Sequence, residues 1–168
     1  MDARIFKLSA LSEKTSLQTR YNSMLAGNAS YIPSNFDSIS TTTVGSGGAS
    51  TITFGSGGTL SQAYTHLQIR GIVKSTNAGS VLNSFYIQFN GDSGSNYSWH
   101  QLYGYNGTTA GSGYGSNQTY IYPGYLPLTD SLGGLTSTIF SGVVIDIFDY
   151  TSSSKNKTLR ALTGFDFN

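Results

Sequence analysis

Apolar and polar residues alternate along most of the chain from Phe36 onward, a pattern typical of half-buried β-strands. In the clearest stretch, Leu67, Ile69 and Val73 alternate with polar residues. This pattern predicts strands at Ile39–Val44, Ser50–Phe54, Tyr64–Lys74, Ser84–Asn90, Tyr97–Tyr105, Gln118–Tyr122, Phe140–Tyr150 and Lys157–Phe165. Strands separated by turns rich in glycine, serine and asparagine favour an all-β fold, an antiparallel β-sandwich.

Asn90-Gly91 lies between two of these strands, in the stretch FYIQFNGDSGSNYSWHQLYG. Both residues tolerate the positive φ of a tight turn, so the pair predicts a β-hairpin between Ser84–Asn90 and Tyr97–Tyr105. The stretches Gly104–Gly115 and Pro123–Gly134 are rich in glycine, tyrosine and threonine. We predict that these two are the longest loops and the places where binding would occur.

The first 34 residues differ from the rest of the chain, because we predict no strand from the order of their apolar and polar residues. Leu17, Tyr21, Met24 and Leu25 recur at the spacing of one helix face, which predicts an α-helix near residues 12–26. A single amphipathic helix of this length is marginal in water, so its apolar face needs a partner surface. We therefore predict an N-terminal anchoring arm over residues 1–34, followed by the β-sandwich domain over residues 35–168.

Charge is scarce: the 168 residues include nine Lys and Arg and eight Asp and Glu, for a net charge of +1. No charged residue lies between Asp92 and Asp130. A nucleic-acid partner is not expected, because such binding needs clustered basic side chains. The chain has no cysteine, and no apolar run approaches the ~20 residues that cross a bilayer, so membrane insertion is not expected either.

Candidate catalytic groups are few. His66 and His100 are the only histidines, and no nucleophile or carboxylate is spaced to work with either. Asp146 and Asp149 stand three residues apart, so a regular strand would place them on opposite faces. The polar run from Asp92 lacks the full calcium-loop pattern and favours a turn in which the side chain caps its own backbone. We predict neither an enzyme nor a bound metal or cofactor.

Aromatic residues are more numerous than a strictly alternating core requires. Tyrosine and tryptophan are common at protein interfaces and also stack on sugar rings. The candidate contact residues are Trp99, Tyr103, Tyr105, Tyr114 and Tyr125. The sequence is compatible with two roles for these residues: packing inside the sandwich, or contact with a partner.

Three stretches, YTHLQIRGIV, QFNGDSGSNYS and GVVIDIFDYTSSSKNKTLRALTG, resemble a β-sandwich family that is abundant in bacteriophages, especially marine ones. The resemblance spans about residues 36–164, and its motifs are structural. It implies a jelly-roll-like sandwich and a virion structural protein at the particle surface, assembled in the host cytoplasm. The expected partners are other virion proteins of the capsid or tail and further copies of this chain.

Within that family, two roles stay open. The first is a protein that decorates the particle, as a capsid decoration, cement or head-fibre protein, held by the N-terminal arm. The alternative is a tail-fibre module that binds host surface glycans through its aromatic residues. Members of the family usually continue for several strands beyond the last resembling stretch, so we expect an incomplete chain, a shortened member, or an edge completed by another subunit.

Overall fold

The computed structural model describes residues 2–11, 36–55, 60, 64–76, 82–105, 109–127 and 139–165. Within these ranges the chain is all-β, its paired strands are antiparallel, and no helix occurs. The strands are β1 (Asp2–Leu11), β2 (Phe36–Thr42), β3 (His66–Lys74), β4 (Leu82–Ile87), β5 (Tyr97–Tyr105), β6 (Thr109–Gln118), β7 (Ile121–Pro127), β8 (Ser141–Phe148) and β9 (Thr158–Gly164).

The largest unit is a five-stranded sheet in the order β2-β1-β3-β8-β9. Strand β8 lies inside this sheet, between β3 and β9. Its residues Val143, Ile145 and Ile147 are buried and alternate with less buried residues. This alternation places a continuous apolar row on one face of the strand. The register between β8 and β9 runs without interruption from Gly142 opposite Gly164 to Phe148 opposite Thr158.

The pair β4–β7 covers the apolar face of that sheet. Phe85 of β4 and Leu126 of β7 are buried and belong to one cluster with Val73, Val143 and Ile145. The Ser75 N–H donates to the Pro127 carbonyl at 2.9 Å and so fastens β7 to the end of β3. The core therefore lies between the five-stranded sheet and β4–β7.

Strand β7 approaches β9 closely at Gly124. A Cβ atom at this glycine would lie 2.5 Å from the Thr163 hydroxyl oxygen, and φ at Gly124 is +147°. Both the contact and the backbone angle exclude a larger residue without rearrangement. Glycine at this position therefore allows the β4–β7 pair to lie close to β9 at the edge of the sheet.

Several predicted strands are confirmed, with ends shifted by a few residues. The predictions for Tyr64–Lys74, Tyr97–Tyr105, Phe140–Tyr150 and Lys157–Phe165 correspond to β3, β5, β8 and β9. The prediction at Ser50–Phe54 is wrong, because this stretch is irregular. Its Ile52 and Phe54 still pack against the core, which accounts for the apolar spacing that suggested a strand.

Other predictions missed where strands lie. Gln118–Tyr122 is not one strand, because β6 ends at Gln118 and β7 begins at Ile121. The two predicted loops also contain strands, since β6 occupies much of the first and β7 the start of the second. In both cases glycine and proline suggested irregular backbone, yet pairing with β5 and β4 holds these residues extended.

Strand β1 differs from the sequence prediction, which placed no strand before Phe36. Residues 2–11 lie between β2 and β3 in the five-stranded sheet. Phe6, Leu8 and Ala10 alternate with Lys7 and Ser9 in the sequence, and such alternation is typical of a strand. The predicted helix near residues 12–26 lies outside the described residues.

Candidate binding groove

The β5–β6 hairpin is built on three glycines. Gly111, Gly113 and Gly115 of β6 pair with Tyr103, Gln101 and Trp99 of β5, respectively. A Cβ atom at these glycines would lie 2.5, 2.8 and 2.6 Å from the side chain of that same partner. The glycines therefore leave the space in which the β5 side chains lie across β6.

A groove with a volume of about 1630 Å³ runs beside this hairpin. One wall is β5 from Ser98 to Gly104, and the opposite wall is the whole of β9. Residues 121–125 of β7 form much of the remaining lining, together with Leu82, Thr109 and Ala110. Three strands that are distant in sequence thus enclose one open channel.

Aromatic rings line the part of the groove near β7. The Trp99 and Tyr122 ring centroids are 5.2 Å apart with an interplanar angle of 67°, and Tyr122 meets Tyr125 edge-on at 5.3 Å. Burial raises the pKa of the Tyr122 hydroxyl far above its ordinary value, so this group stays protonated. Edge-to-face contacts of this kind are favourable arrangements of aromatic side chains. They hold Trp99 in place relative to β7.

The two cations that line the groove, Lys157 and Arg160, already have polar partners. Arg160 of β9 binds Asp146 of β8 at 2.7 Å, and Gln68 donates to the same carboxylate at 2.6 Å. Burial acts to raise the pKa of Asp146, but the hydrogen bond from Gln68 and the nearby Arg160 and Arg70 lower it overall. Lys157 donates to the carbonyls of Asp149 and Ser152. The groove therefore suits a neutral ligand better than a charged one.

The predicted Asn90-Gly91 turn is confirmed. Asn90 and Gly91 have φ values of 54° and 71°, and the Asp92 N–H donates to the Phe89 carbonyl at 2.9 Å. The predicted side-chain cap is also present, because the Asp92 carboxylate accepts the Gly94 N–H at 2.8 Å.

The predicted hairpin itself is wrong, since β4 pairs with β7 while β5 pairs with β6. The bend capped by Asp92 follows the turn directly, and the buried Tyr97 holds both together. Its hydroxyl accepts the Phe89 N–H at 3.0 Å and donates to the Asp92 carbonyl at 3.1 Å. Two consecutive bends redirect the chain away from β4, so β5 starts a separate hairpin.

The predicted contact residues lie on two different sides of the β5–β6 hairpin. Trp99, Tyr103 and Tyr125 line the groove. Tyr114 is 76% exposed on the other face, where its ring stacks on His100 with centroids 6.2 Å apart. The Tyr105 side chain and the predicted anchoring residues Leu17, Tyr21, Met24 and Leu25 lie outside the described residues.

The candidate residues predicted from sequence did not include Gln101 or Thr163, although both line the groove. Gln101 had a readable signal, since it stands between Trp99 and Tyr103 on the same face of a strand. Thr163 had none, because only the tertiary fold brings β9 beside β5 and β7.

The histidine and carboxylates weighed as catalytic groups have structural contacts. The His66 ring nitrogen Nδ1 accepts the Asp149 N–H at 3.0 Å, and the Asp149 carboxylate binds Lys155 at 3.2 Å. Asp146 takes part in the contact with Arg160. These contacts tie the ends of β3 and β8 to the loop that follows and fix the position of β9.

Metal-ligating side chains do not cluster in the described part of the chain, where no group of three His, Asp or Glu residues is found. No helix long and apolar enough to cross a membrane occurs among these residues either. The chemistry that the groove offers is ring stacking and hydrogen bonding by amide, hydroxyl and backbone groups.

Comparison with known proteins adds no assignment. No protein-family model, curated protein or solved structure matches this chain. The resemblance to phage β-sandwich proteins therefore stays a prediction.

Proposed function

We propose that this chain is a structural protein of a bacteriophage particle, placed at its surface as a capsid decoration, cement or head-fibre subunit. One observation carries this proposal: the face of the β5–β6 hairpin that bears Leu102 and Tyr114 is open to solvent. Leu102 is 90% exposed and Tyr114 is 76% exposed. No charged residue occurs in either strand of the hairpin.

An uncharged hairpin with bare apolar side chains favours contact with another protein. A two-stranded hairpin alone is marginally stable in water, so a covering surface would stabilise it. Large exposed hydrophobic residues that lie close together commonly mark interaction sites. In a particle, other virion proteins and further copies of this chain would provide the surface that covers the hairpin. Assembly of the particle would take place in the host cytoplasm.

For the overall architecture we infer a jelly-roll-like sandwich. The support is a core enclosed between the five-stranded sheet and β4–β7, with antiparallel pairing throughout the described residues. Sandwiches of this class are frequent in viral structural proteins.

The anchoring role belongs, in this proposal, to the segment that contains Leu17, Tyr21, Met24 and Leu25. Deletion of residues 1–30 would also remove β1, which lies inside the five-stranded sheet. The appropriate test is therefore Leu17→Ser with Leu25→Ser in the full chain, compared with Ser16→Ala with Ser23→Ala. We expect the first pair to reduce incorporation into particles and the second pair to leave it unchanged. Equal incorporation of both would refute the anchoring role.

A second candidate function, a tail-fibre module that binds host surface glycans, is favoured by the platform formed by Trp99 and Tyr103. Both side chains lie across glycines of β6 and line the groove. Their Cα atoms are about 13 Å apart along an extended strand, so they would stack on different rings of one sugar chain. The hydroxyl groups of a sugar chain carry no charge, so they suit a groove whose cations already have polar partners. They can also form hydrogen bonds with the Gln101 amide.

The glycan candidate has a matched pair of variants. Tyr103→Ala changes the groove, while Tyr114→Ala changes an exposed tyrosine on the other face of the same hairpin. On a glycan array we expect binding that Tyr103→Ala abolishes and Tyr114→Ala retains. An array without bound glycans, or equal loss in the two variants, would reject this candidate.

A further inference from the structure

Among the described strands, β9 has a hydrogen-bonded neighbour on one side only, which is β8. It is the last strand of the order β2-β1-β3-β8-β9. Among the described residues, no hydrogen bond joins its other edge to β5 or β7. Such an edge is a template for pairing with another strand.

The side chain of Ser141 shows which backbone groups of β9 face that edge. Its hydroxyl contacts the carbonyl oxygens of Gly142 and Gly164, each at 3.1 Å, so both carbonyls lie between β8 and β9. Backbone groups along an antiparallel strand point alternately to its two sides. The N–H and C=O groups of Leu159, Ala161 and Thr163 therefore point to the free edge.

This edge lacks the features that usually prevent strand addition. Proteins protect edge strands with proline, bulges or several charges. Strand β9 has no proline and no register shift against β8, and Arg160 is its single charged residue. The opposite edge differs, because the β1–β2 register shifts between Leu8 and Ser9.

The sheet face beside the edge carries an apolar patch next to Arg70. Leu162 is 73% exposed and Ile72 is 52% exposed. With Val144, Gly142 and Gly164 they line a shallow depression of about 630 Å³. A strand added at β9 would extend this apolar surface and cover Leu162.

We propose that a second copy of this chain binds along β9, so that the two β9 strands pair antiparallel about a twofold axis with Leu162 opposite Leu162 of the second copy. This proposal rests on the proposed function, in which copies of the chain assemble with one another, and it names the surface they use. The occupant is inferred from the self-complementarity of the hydrogen-bonding groups, shape and charge of this edge.

The register satisfies the backbone groups that face the edge. With Leu162 opposite its counterpart, Ala161 lies opposite Thr163 of the second copy, and Thr163 lies opposite Ala161. Both residues have their N–H and C=O groups at the free edge, as a hydrogen-bonded pair requires. Leu162 then occupies a non-hydrogen-bonded pair, where opposing side chains are closest.

The side chains and charges suit the same register. Arg160 would lie opposite Gly164 of the second copy, which has no side chain to collide with it. The Arg160 charge is already compensated by Asp146 at 2.7 Å. The two copies, each with a net charge of +1, repel one another only weakly.

Disulfide trapping tests the register directly, because the chain has no cysteine and each introduced thiol is unique. In the full chain, Leu162→Cys places two thiols in directly opposite positions, within the separation that a disulfide spans. Thr158→Cys is the matched control: it is exposed on the same face of β9, but its counterpart would lie about 26 Å away.

Under mild oxidation we expect at least a tenfold faster formation of the covalent dimer from Leu162→Cys than from Thr158→Cys. Equal rates, or the absence of a covalent dimer from Leu162→Cys, would overturn the proposed pairing. Because Leu162 is 73% exposed, we expect this variant to fold as the parent chain does.

Ala161→Pro tests the edge without a cysteine. Proline removes the Ala161 N–H that points to the free edge, while the hydrogen bonds of β9 to β8 remain. Ala161→Ser keeps this N–H and serves as the control. By sedimentation equilibrium we expect the parent and Ala161→Ser to form a dimer that Ala161→Pro weakens at least tenfold.

A monomeric parent chain, or an unchanged dimer in Ala161→Pro, would contradict the proposal. Circular dichroism spectra of all three proteins show whether the fold is retained. Both experiments use the isolated protein, so they are independent of whether the chain occurs in particles. A particle protein that is monomeric in solution would reject this interface and leave the proposed function standing.

Discussion

The five-stranded sheet and the β5–β6 hairpin are both antiparallel, yet they use their side chains in opposite ways. In the sheet, Val73 and Ile145 are 0% and 1% exposed, respectively. In the hairpin, Leu102 is 90% exposed, and glycines make room for Trp99 and Tyr103. The comparison indicates a division of roles, in which the sheet stabilises the fold and the hairpin presents side chains for contact.

The largest expected effect separates the two regions by stability. Ile145→Ala removes a buried side chain from the centre of the sheet and should lower the free energy of unfolding by about 2–5 kcal/mol. Leu102→Ala removes a similar group from the hairpin, where it is exposed, and should change this free energy by less than about 0.5 kcal/mol. Urea denaturation measures both. Similar losses would show that Leu102 is also part of a core.

The second prediction concerns the glycines of the hairpin. In Gly115→Ala the new methyl group would lie 2.6 Å from the Trp99 ring nitrogen. We expect a loss of about 1–3 kcal/mol through overpacking, and a shifted fluorescence spectrum because Trp99 is the only tryptophan. Gly104→Ala is the control, since nothing lies within 4 Å of its Cβ position. An unshifted spectrum in Gly115→Ala would refute the role of the glycine.

The third prediction concerns the double bend that separates the two regions. Tyr97→Phe deletes a buried hydroxyl that contacts the Phe89 N–H and the Asp92 carbonyl. Leaving these groups without their partner should cost about 1–3 kcal/mol. Tyr114→Phe, at an exposed tyrosine, should change stability by less than about 0.5 kcal/mol. Thermal unfolding distinguishes the two, and equal melting temperatures would be evidence against the proposed role of Tyr97.

The smallest expected effect is a pH dependence that belongs to the sheet. The pKa of Asp146 is lowered in the folded chain, so on acidification the unfolded chain binds a proton first. The stabilisation is thus present above about pH 4 and lost as pH falls through the lower folded value. Because Arg160 is largely exposed, we expect a contribution of at most about 1 kcal/mol. Asp146→Asn should remove it, and identical pH profiles of urea unfolding would contradict the assignment.

The difference between the sheet and the hairpin could be predicted only where the sequence pattern within a single strand reveals it. Strands β3 and β8 carry uninterrupted apolar alternation, and the sequence predicts both. Strand β6 alternates glycine with serine and tyrosine, so it lacks an apolar row and resembles a loop. Its conformation is fixed by the β5 side chains that lie on it, which no pattern within β6 records.

The groove shows the same limit. Trp99 and Tyr103 could be selected because both lie on one face of a strand that the sequence predicts. The wall formed by β9 could not, since nearly 60 residues separate Trp99 from Thr158. Only the order of strands in the sheet places a free edge beside the hairpin.

The most direct test of the proposed function is an electron cryo-microscopy reconstruction of virus particles purified from cells that produce this chain. If the proposed function is right, we expect density for the chain at the particle surface, with the Leu102 and Tyr114 face of the β5–β6 hairpin covered by a neighbouring protein. Absence of the chain from purified particles would contradict the proposed function. Its presence with this hairpin face open to solvent would contradict the role assigned to the hairpin.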